Sequence, residues 1–185
     1  MPELRKDYVL DRWVIIATER AKRPHDFKKK AIKKKEGICY FCPGNENLTP
    51  KEIMRIPNSK EWKVRVFPNK FSAVKLEGDY NIKTHNKFYT FADAYGSHEV
   101  IVETQDKNKQ LWDLETNEIK TILQVYIERI NALSKIQGIK YIQVFKNHEE
   151  AAGTSIAHSH SQIIAYEKVP HVVENEIKYS KNHDS

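Results

Sequence analysis

The sequence predicts an α+β domain, a mainly antiparallel β-sheet with one long helix packed on a face. Three observations carry that prediction. Short β-rich stretches are separated by short, turn-rich loops. One segment, 115–136, carries an apolar period of three and four residues. A strand near the end of the chain bears a polar stripe, His158, His160 and Gln162, ahead of the apolar run Ile163-Ile164-Ala165. The 185 residues suffice for one domain or slightly more, and 39% hydrophobic with 30% charged residues argues against disorder. No apolar run approaches a membrane span, so no membrane partner is expected.

In chain order, "MPELRKDYVLDRW" is charged from the start and has no apolar leader region, which predicts a cytoplasmic protein. "DRWVIIATE", 11–19, is a β-rich apolar run and reads as a strand. "ERAKRP" supplies Arg20 and Arg23, which are either solvated surface charges or phosphate contacts. "KKKAIKKK", 28–35, holds six lysines within a chain of formal net charge +6. Such a block repels itself and predicts a surface loop. No aromatic residues interleave with the lysines, so nucleic acid is not an expected partner.

"GICYFCPGNENLTP" holds both cysteines, Cys39 and Cys42, in a turn-rich setting. Two cysteines three positions apart make no disulfide framework for a domain of this size. A redox pair, half of a metal site and a small apolar pair in a turn all remain open. "EWKVRVFPNKF", 61–71, places Trp62, Val64 and Val66 at alternate positions, predicting a half-buried strand that ends near Phe67-Pro68. "GSHEVIVET" predicts another strand, with Val100 and Val102 on one face.

The helix over 115–136 rests on Ile119, Ile122, Leu123, Tyr126, Ile130 and Leu133, with Gly138 as a stop. "IKYIQVFKN" predicts the next strand. The loop "AAGTS" follows, and then the strand that carries the histidines, a hairpin-like return that brings Gly153 beside the imidazoles. The tail 171–185 is charged and predicts a short helix that frays into solvent.

Side chains alternate in a strand, so His158, His160 and Gln162 are expected on one face. A half-exposed strand with a polar outer face explains the stripe without chemistry. The chemical reading is phosphoryl transfer. A neutral imidazole attacks phosphorus, and a backbone carbonyl on its other nitrogen fixes the tautomer. A carboxamide two residues on donates to the phosphoryl oxygen. Gly153 and Ser155 let the loop approach a phosphate. Metal chemistry is the second possibility, since CxxC and one histidine of HxH supply three ligands of the kind zinc prefers.

These residues carry a resemblance. "FCPGNE", "RVFPNKF", "YGSHEVIVET" and "GTSIAHSHSQ" stand in the order and approximate spacing of the N-terminal half of the galactose-1-phosphate uridylyltransferase family, in the transferase branch of the histidine triad superfamily. The resemblance runs from about residue 4 to about residue 170 and implies a domain over 1–170 followed by the tail 171–185. It implies double displacement in galactose metabolism, from a nucleotide sugar to a sugar 1-phosphate, through a nucleotidyl-histidine. His160 would be the nucleophile and Gln162 the contact to the phosphoryl group. Cys39, Cys42 and His158 would be zinc ligands. Asn147, Gly153 and Ser155 would line the nucleotide phosphates, Phe67 and Asn69 would lie around the nucleoside, and Arg20 and Arg23 would match an early arginine motif. UDP-hexose with galactose 1-phosphate is the default substrate pair. An adenylyl relative using ADP-glucose or a dinucleoside polyphosphate, or a non-catalytic nucleotide-binding half, is the alternative.

The chain departs from the pattern at four places. Lys107 stands where zinc-bearing relatives have a further histidine, which implies a weak or partial site, with His98 as a surrogate ligand. Lys70 replaces an acidic residue beside the nucleoside. His148-Glu149 stand where glycine is usual. The family's second half, with its sugar-phosphate contacts, is not within the 185 residues, which implies a homo-oligomer or a separate polypeptide carrying it.

Overall fold

The computed structural model describes residues 1–17, 38–86, 88–154 and 156–181. The lysine block, Arg20, Arg23 and Ser155 lie outside the described residues, as do the last residues of the first predicted strand and of the tail.

The α+β prediction holds, with two antiparallel sheets rather than one. Strands β1 (Glu3–Asp7), β2 (Arg12–Ile16), β5 (Lys83–His85) and β6 (Tyr89–Asp93) form a four-stranded sheet in the order β2-β1-β6-β5. Strands β3 (Met54–Ile56), β4 (Val64–Pro68), β7 (Gly96–Val102), β8 (Tyr141–Phe145) and β9 (His160–Tyr166) form a five-stranded sheet in the order β3-β4-β7-β9-β8. The central strand β7 pairs antiparallel with β9 along its whole length, from Gly96 opposite Tyr166 to Val102 opposite His160. Strands β8 and β9 are the predicted hairpin-like return.

Each face of the larger sheet is covered differently. On one face Val64, Val66, Ile101, Ile163 and Ala165 pack against Ile122, Val125 and Leu133 of helix α1 (Thr116–Leu133). Burying each such side chain stabilises by about 1.5–3 kcal/mol. On the other face Trp62, Phe67, Val100 and Val102 pack with Phe41 from the cysteine-bearing turn. Strand β4 is therefore buried on both faces, not half-buried as its alternation predicts. Trp62 precedes the strand and joins the second cluster, away from Val64 and Val66.

Helix α1 begins with a capping box in which Glu118 accepts from the Glu115 backbone N–H at 2.9 Å. It ends at Leu133, short of the predicted 136, and Gly138 lies beyond it with φ +89°. The buried stripe also differs from prediction. Leu123 and Ile130 are 51% and 37% exposed. The sheet-facing row instead includes Arg129, which forms a two-point ion pair with the buried Glu99 of β7 at 2.8 and 2.9 Å. Ile119, Ile122, Tyr126 and Leu133 pack on the sheet as predicted, and Val125 and Arg129 face it in place of Leu123 and Ile130.

Gly96 opens β7 at φ +154°, and a Cβ built there would stand 2.0 Å from the Ala165 carbonyl oxygen of β9. Its glycine is what lets the two central strands come together at that end. The tail is a helix, α2 (His171–Ser180), none of whose residues is buried.

Candidate functional site

Strand β9 presents two faces. Ser161, Ile163 and Ala165 point toward α1, while His160 and Gln162 point into a cavity of about 440 Å³ on the opposite face. The cavity is walled by Phe41, Leu48, Pro50 and Phe67 on one side and by Asn147, Gly153 and Thr154 on the other, with Asn69 and Lys70 at its edge. A larger groove of about 690 Å³ lies between the β1–β2 hairpin and the start of α2, and holds none of the predicted site residues.

His160 rests on two contacts that set its chemistry. Its Nδ1 lies 2.8 Å from the His158 carbonyl oxygen. A carbonyl only accepts, so Nδ1 carries the proton and donates, and Nε2 keeps its lone pair. Phe41 packs edge-on against the ring at 5.2 Å between centroids. Burial holds the His160 imidazole below its ordinary value, against the opposing pull of the His158 carbonyl. The ring is therefore neutral at neutral pH.

His158 shares that side of the sheet, with Phe41 packed edge-on against both imidazoles. It precedes β9, is buried, and turns toward the cysteines, with Nδ1 3.3 Å from the Cys39 sulfur and 3.6 Å from the Cys42 sulfur. Its Nε2 donates to the Thr104 carbonyl oxygen at 2.7 Å, so the Nδ1 lone pair is aimed at the two sulfurs. The same-face expectation holds for His158, since Ser159 and Ser161 both turn to Glu103 on the opposite face. Among the described residues, Cys39, Cys42 and His158 form a cluster that can hold a metal ion, with ligand atoms all within 4.8 Å of one another. Burial and the adjoining Cys39 sulfur push the Cys42 thiol up to about 11, while Lys107 pulls it down. Lys107 is thus within electrostatic reach of the cluster, at the position predicted to lack a ligand.

His98 is not a fourth member. Its buried ring sits beside Gln162, with Nε2 3.0 Å from Gln162 Oε1 and Nδ1 accepting the Ala73 backbone N–H at 3.2 Å. Asn69 Nδ2 donates to the same Gln162 oxygen at 3.2 Å. Asn147 and Gly153 line the cavity, as predicted. Gly153 has φ +84° with nothing within 4 Å of an added Cβ, so its glycine serves the backbone conformation rather than clearance from protein. Glu149 also takes a left-handed conformation, φ +65°, at one of the two positions where the family resemblance leads one to expect glycine.

A buried network beneath β9 escaped the sequence reading. Glu103 follows β7 and accepts from Lys146 Nζ at 2.6 Å, Ser159 Oγ at 2.5 Å, Ser161 Oγ and the Tyr126 hydroxyl of α1 at 3.2 Å. Lys146 also donates to the His160 carbonyl at 3.2 Å. Burial raises the Glu103 carboxyl, but the bonds from Lys146, Ser159 and Ser161 outweigh it and hold the group below its ordinary value. The alternating serines of "HSHSQ" were the available signal, since hydroxyls on the core face need a buried partner. Phe41 was also missed. Its place between the two cysteines in "CYFC" forces it next to whatever they bind.

Known proteins resemble this chain over most of its length. A family model described as galactose-1-phosphate uridyl transferase, N-terminal domain, matches residues 1–170. An ADP-glucose phosphorylase from Arabidopsis thaliana is 39% identical over 98% of this chain and 53% of its own length. A galactose-1-phosphate uridylyltransferase from Haemophilus influenzae is 30% identical over 98% of this chain and 52% of its own. The crystal structure of an ADP-glucose phosphorylase from Arabidopsis thaliana with bound ADP-glucose superposes with a TM-score of 0.72 at 37% identity, covering 99% of this chain and 54% of that one. The chain spans about half the length of the curated relatives it matches.

Proposed function

Because the chain belongs to the galactose-1-phosphate uridyl transferase family, we propose that it is the nucleophile-bearing half of a nucleotidyltransferase that works by double displacement. The observation that carries this reading is the tautomer of His160. Its Nδ1–H is held by the His158 carbonyl at 2.8 Å, and its ring borders the cavity shared with Gln162. In the first step Nε2 attacks the nucleotide phosphorus of a nucleoside-diphosphate sugar. The P–N bond forms as the P–O bond to the sugar phosphate breaks, and the sugar 1-phosphate leaves. In the second step a phosphate oxygen of an acceptor attacks the same phosphorus and the P–N bond breaks, returning neutral His160. Gln162 donates from its NH₂ to the phosphoryl oxygen where charge builds. Asn147 and Gly153 line the phosphates, and Phe67 and Asn69 border the nucleoside.

Zinc fits the cluster of Cys39, Cys42 and His158. Tetrahedral zinc, at about 2.3 Å from sulfur and 2.0–2.1 Å from nitrogen, sets sulfur–nitrogen edges of about 3.5 Å. The edges here are 3.3 and 3.6 Å. The ion would bind the thiolates and tie the cysteine turn to the residue two before the nucleophile. With three protein ligands among the described residues it is held weakly. Reduced cysteines of this kind suit the cytoplasm. The sugar-side groups lie in the part of the relatives' length that these 185 residues do not span.

UDP-hexose with galactose 1-phosphate is one substrate reading. A second, adenylyl transfer from ADP-glucose, is favoured by the greater identity to the Arabidopsis phosphorylase, 39% against 30%. The test is to incubate the chain with UDP-glucose and ADP-glucose labelled at the nucleotide phosphorus. Acid-labile, base-stable label on the wild type and none on His160→Gly is expected, and the donor that labels faster names the base. Label retained by His160→Gly overturns the nucleophile. Nucleotide binding without any label, even with a C-terminal half from a relative added, leaves a non-catalytic binding half.

A further inference from the structure

We propose that His98 is a positioning residue that, together with Asn69, locks the side-chain amide of Gln162 so that its NH₂ faces the cavity. The inference rests on the nucleotidyl-transfer reading for what that NH₂ does, but not for how it is held.

The lock follows from which groups can donate. A backbone N–H only donates, so the Ala73 N–H at 3.2 Å makes His98 Nδ1 an acceptor. The proton of the neutral ring is then on Nε2, which donates to Gln162 Oε1 at 3.0 Å. The Phe71 N–H donates to Asn69 Oδ1 at 2.9 Å, which turns the Asn69 NH₂ the other way, toward the same Gln162 oxygen at 3.2 Å. Two donors, His98 Nε2 and Asn69 Nδ2, stand 3.2 Å apart and converge on one acceptor. Turning the Gln162 amide over would set a third donor against these two with no acceptor among them. The amide therefore has one orientation, with oxygen toward β7 and NH₂ toward the cavity.

Both ends of the lock trace to one short loop, 69–73, which is itself tied to β7 by the Asn69 N–H donating to the His98 carbonyl at 2.8 Å. His98 lies opposite Ile164, one diagonal step from Gln162 across the β7–β9 pair, so strand register delivers the ring to the amide. His98 is 3% exposed and Gln162 7%. Water is thus a poor substitute for either donor, and a glutamine freed from them rotates between donor and acceptor faces.

Two measurements on the full 185-residue chain test this. Long-range proton–nitrogen spectra of the imidazoles are expected to show His98 as the neutral tautomer protonated on Nε2. The Gln162 NH₂ signals, assigned by their loss in Gln162→Ala, are expected to shift on addition of UMP or AMP. A His98 protonated on Nδ1, or Gln162 NH₂ signals indifferent to both nucleotides at saturation, overturns the lock. In the second measurement, single-turnover labelling of His160 is expected to slow about ten- to a hundredfold in His98→Leu, with nucleotide Kd changed less than about threefold. His98→Gln, which keeps an acceptor and a donor, recovers most of the rate. In a Gln162→Ala background His98→Leu is expected to cost nothing further, because the two act as one unit. Full additivity of the two substitutions, or Kd rising in step with the lost rate, overturns the inference. Absence of label on the wild type refutes the nucleotidyl-transfer reading instead, and the spectra still decide the lock.

Discussion

His160 stands between two differently built supports. Two residues before it, His158 meets Cys39 and Cys42 across 3.3 and 3.6 Å. Two residues after it, Gln162 is held by His98 and Asn69 at 3.0 and 3.2 Å. The first support is made of soft donors that want a cation and leave an elevated thiol without one. The second is made of neutral hydrogen bonds that end in backbone N–H groups and is complete as it stands. One flank of His160 thus gathers groups that can hold a metal, and the other is assembled by hydrogen bonds alone. Each flank should fail in its own way.

The largest effect belongs to the amide flank. Gln162→Ala should slow nucleotidylation of His160 by about 10²–10³, the usual cost of losing one donor to developing charge. Its metal content should be unchanged. Loss of metal in this variant would break the comparison by showing that the flanks are coupled. Next is the metal flank. Cys42→Ser, or prolonged chelation, should empty the site and lower thermal stability, by about 2.7 kcal/mol where free zinc stands at a hundred times its Kd. The Gln162 NH₂ signals should persist. A full equivalent of zinc surviving chelation would mean that a fourth protein ligand completes the site.

A smaller effect comes from beneath both flanks. Glu103→Gln keeps the shape of the network but removes the charge that Lys146 answers, at a cost of about 1–3 kcal/mol. The sign with pH is fixed by the direction of the shift. The folded-state value lies below the ordinary 4.5, so the stability from ionised Glu103 is complete above that pH and is lost as pH falls through the folded value. The variant should flatten the stability curve below pH 4.5, as read by chemical denaturation across an acid series. An unchanged slope would remove Glu103 from the account. The smallest effect is at the far sheet. Arg5→Ala breaks an exposed ion pair with Glu3 at 2.6 Å and should leave both flanks and the melting temperature as they are.

The two sheets differed in how far the sequence disclosed them. Strands β4, β7, β8 and β9 announce themselves through Val, Ile and Phe because they are central or lie under a helix. Strand β1, "ELRKD", and β5, "KTH", carry charges and no apolar alternation, although each pairs with the next strand in sequence. The other partner of β1 is distant, with Glu3 opposite Asp93, and no sequence spacing marks that pairing. At the site, the alternation in "HSHSQ" put His158, His160 and Gln162 on one face, and the structure has them there with both serines turned to Glu103. It did not say that His158 would stop short of the cavity and meet the cysteines. His98 reads as a spare metal ligand in sequence because histidines do that work often. Only the register of β7 on β9 shows that it reaches an amide instead. Lys146 and Glu103 were not legible, since a buried pair separated by 43 residues has no sequence spacing to betray it.

Gly96 sets a limit on how this fold can drift. A side chain there would strike the Ala165 carbonyl oxygen from 2.0 Å, and that atom belongs to a central strand that cannot step aside. Gly44 has an equally unusual φ, +86°, but open space around it. In a saturation library selected for folded protein, position 44 should admit asparagine or aspartate, which tolerate that handedness. Position 96 should return glycine alone. The first is a character free to vary among descendants of this chain, while the second is inherited unchanged for as long as β7 and β9 remain neighbours.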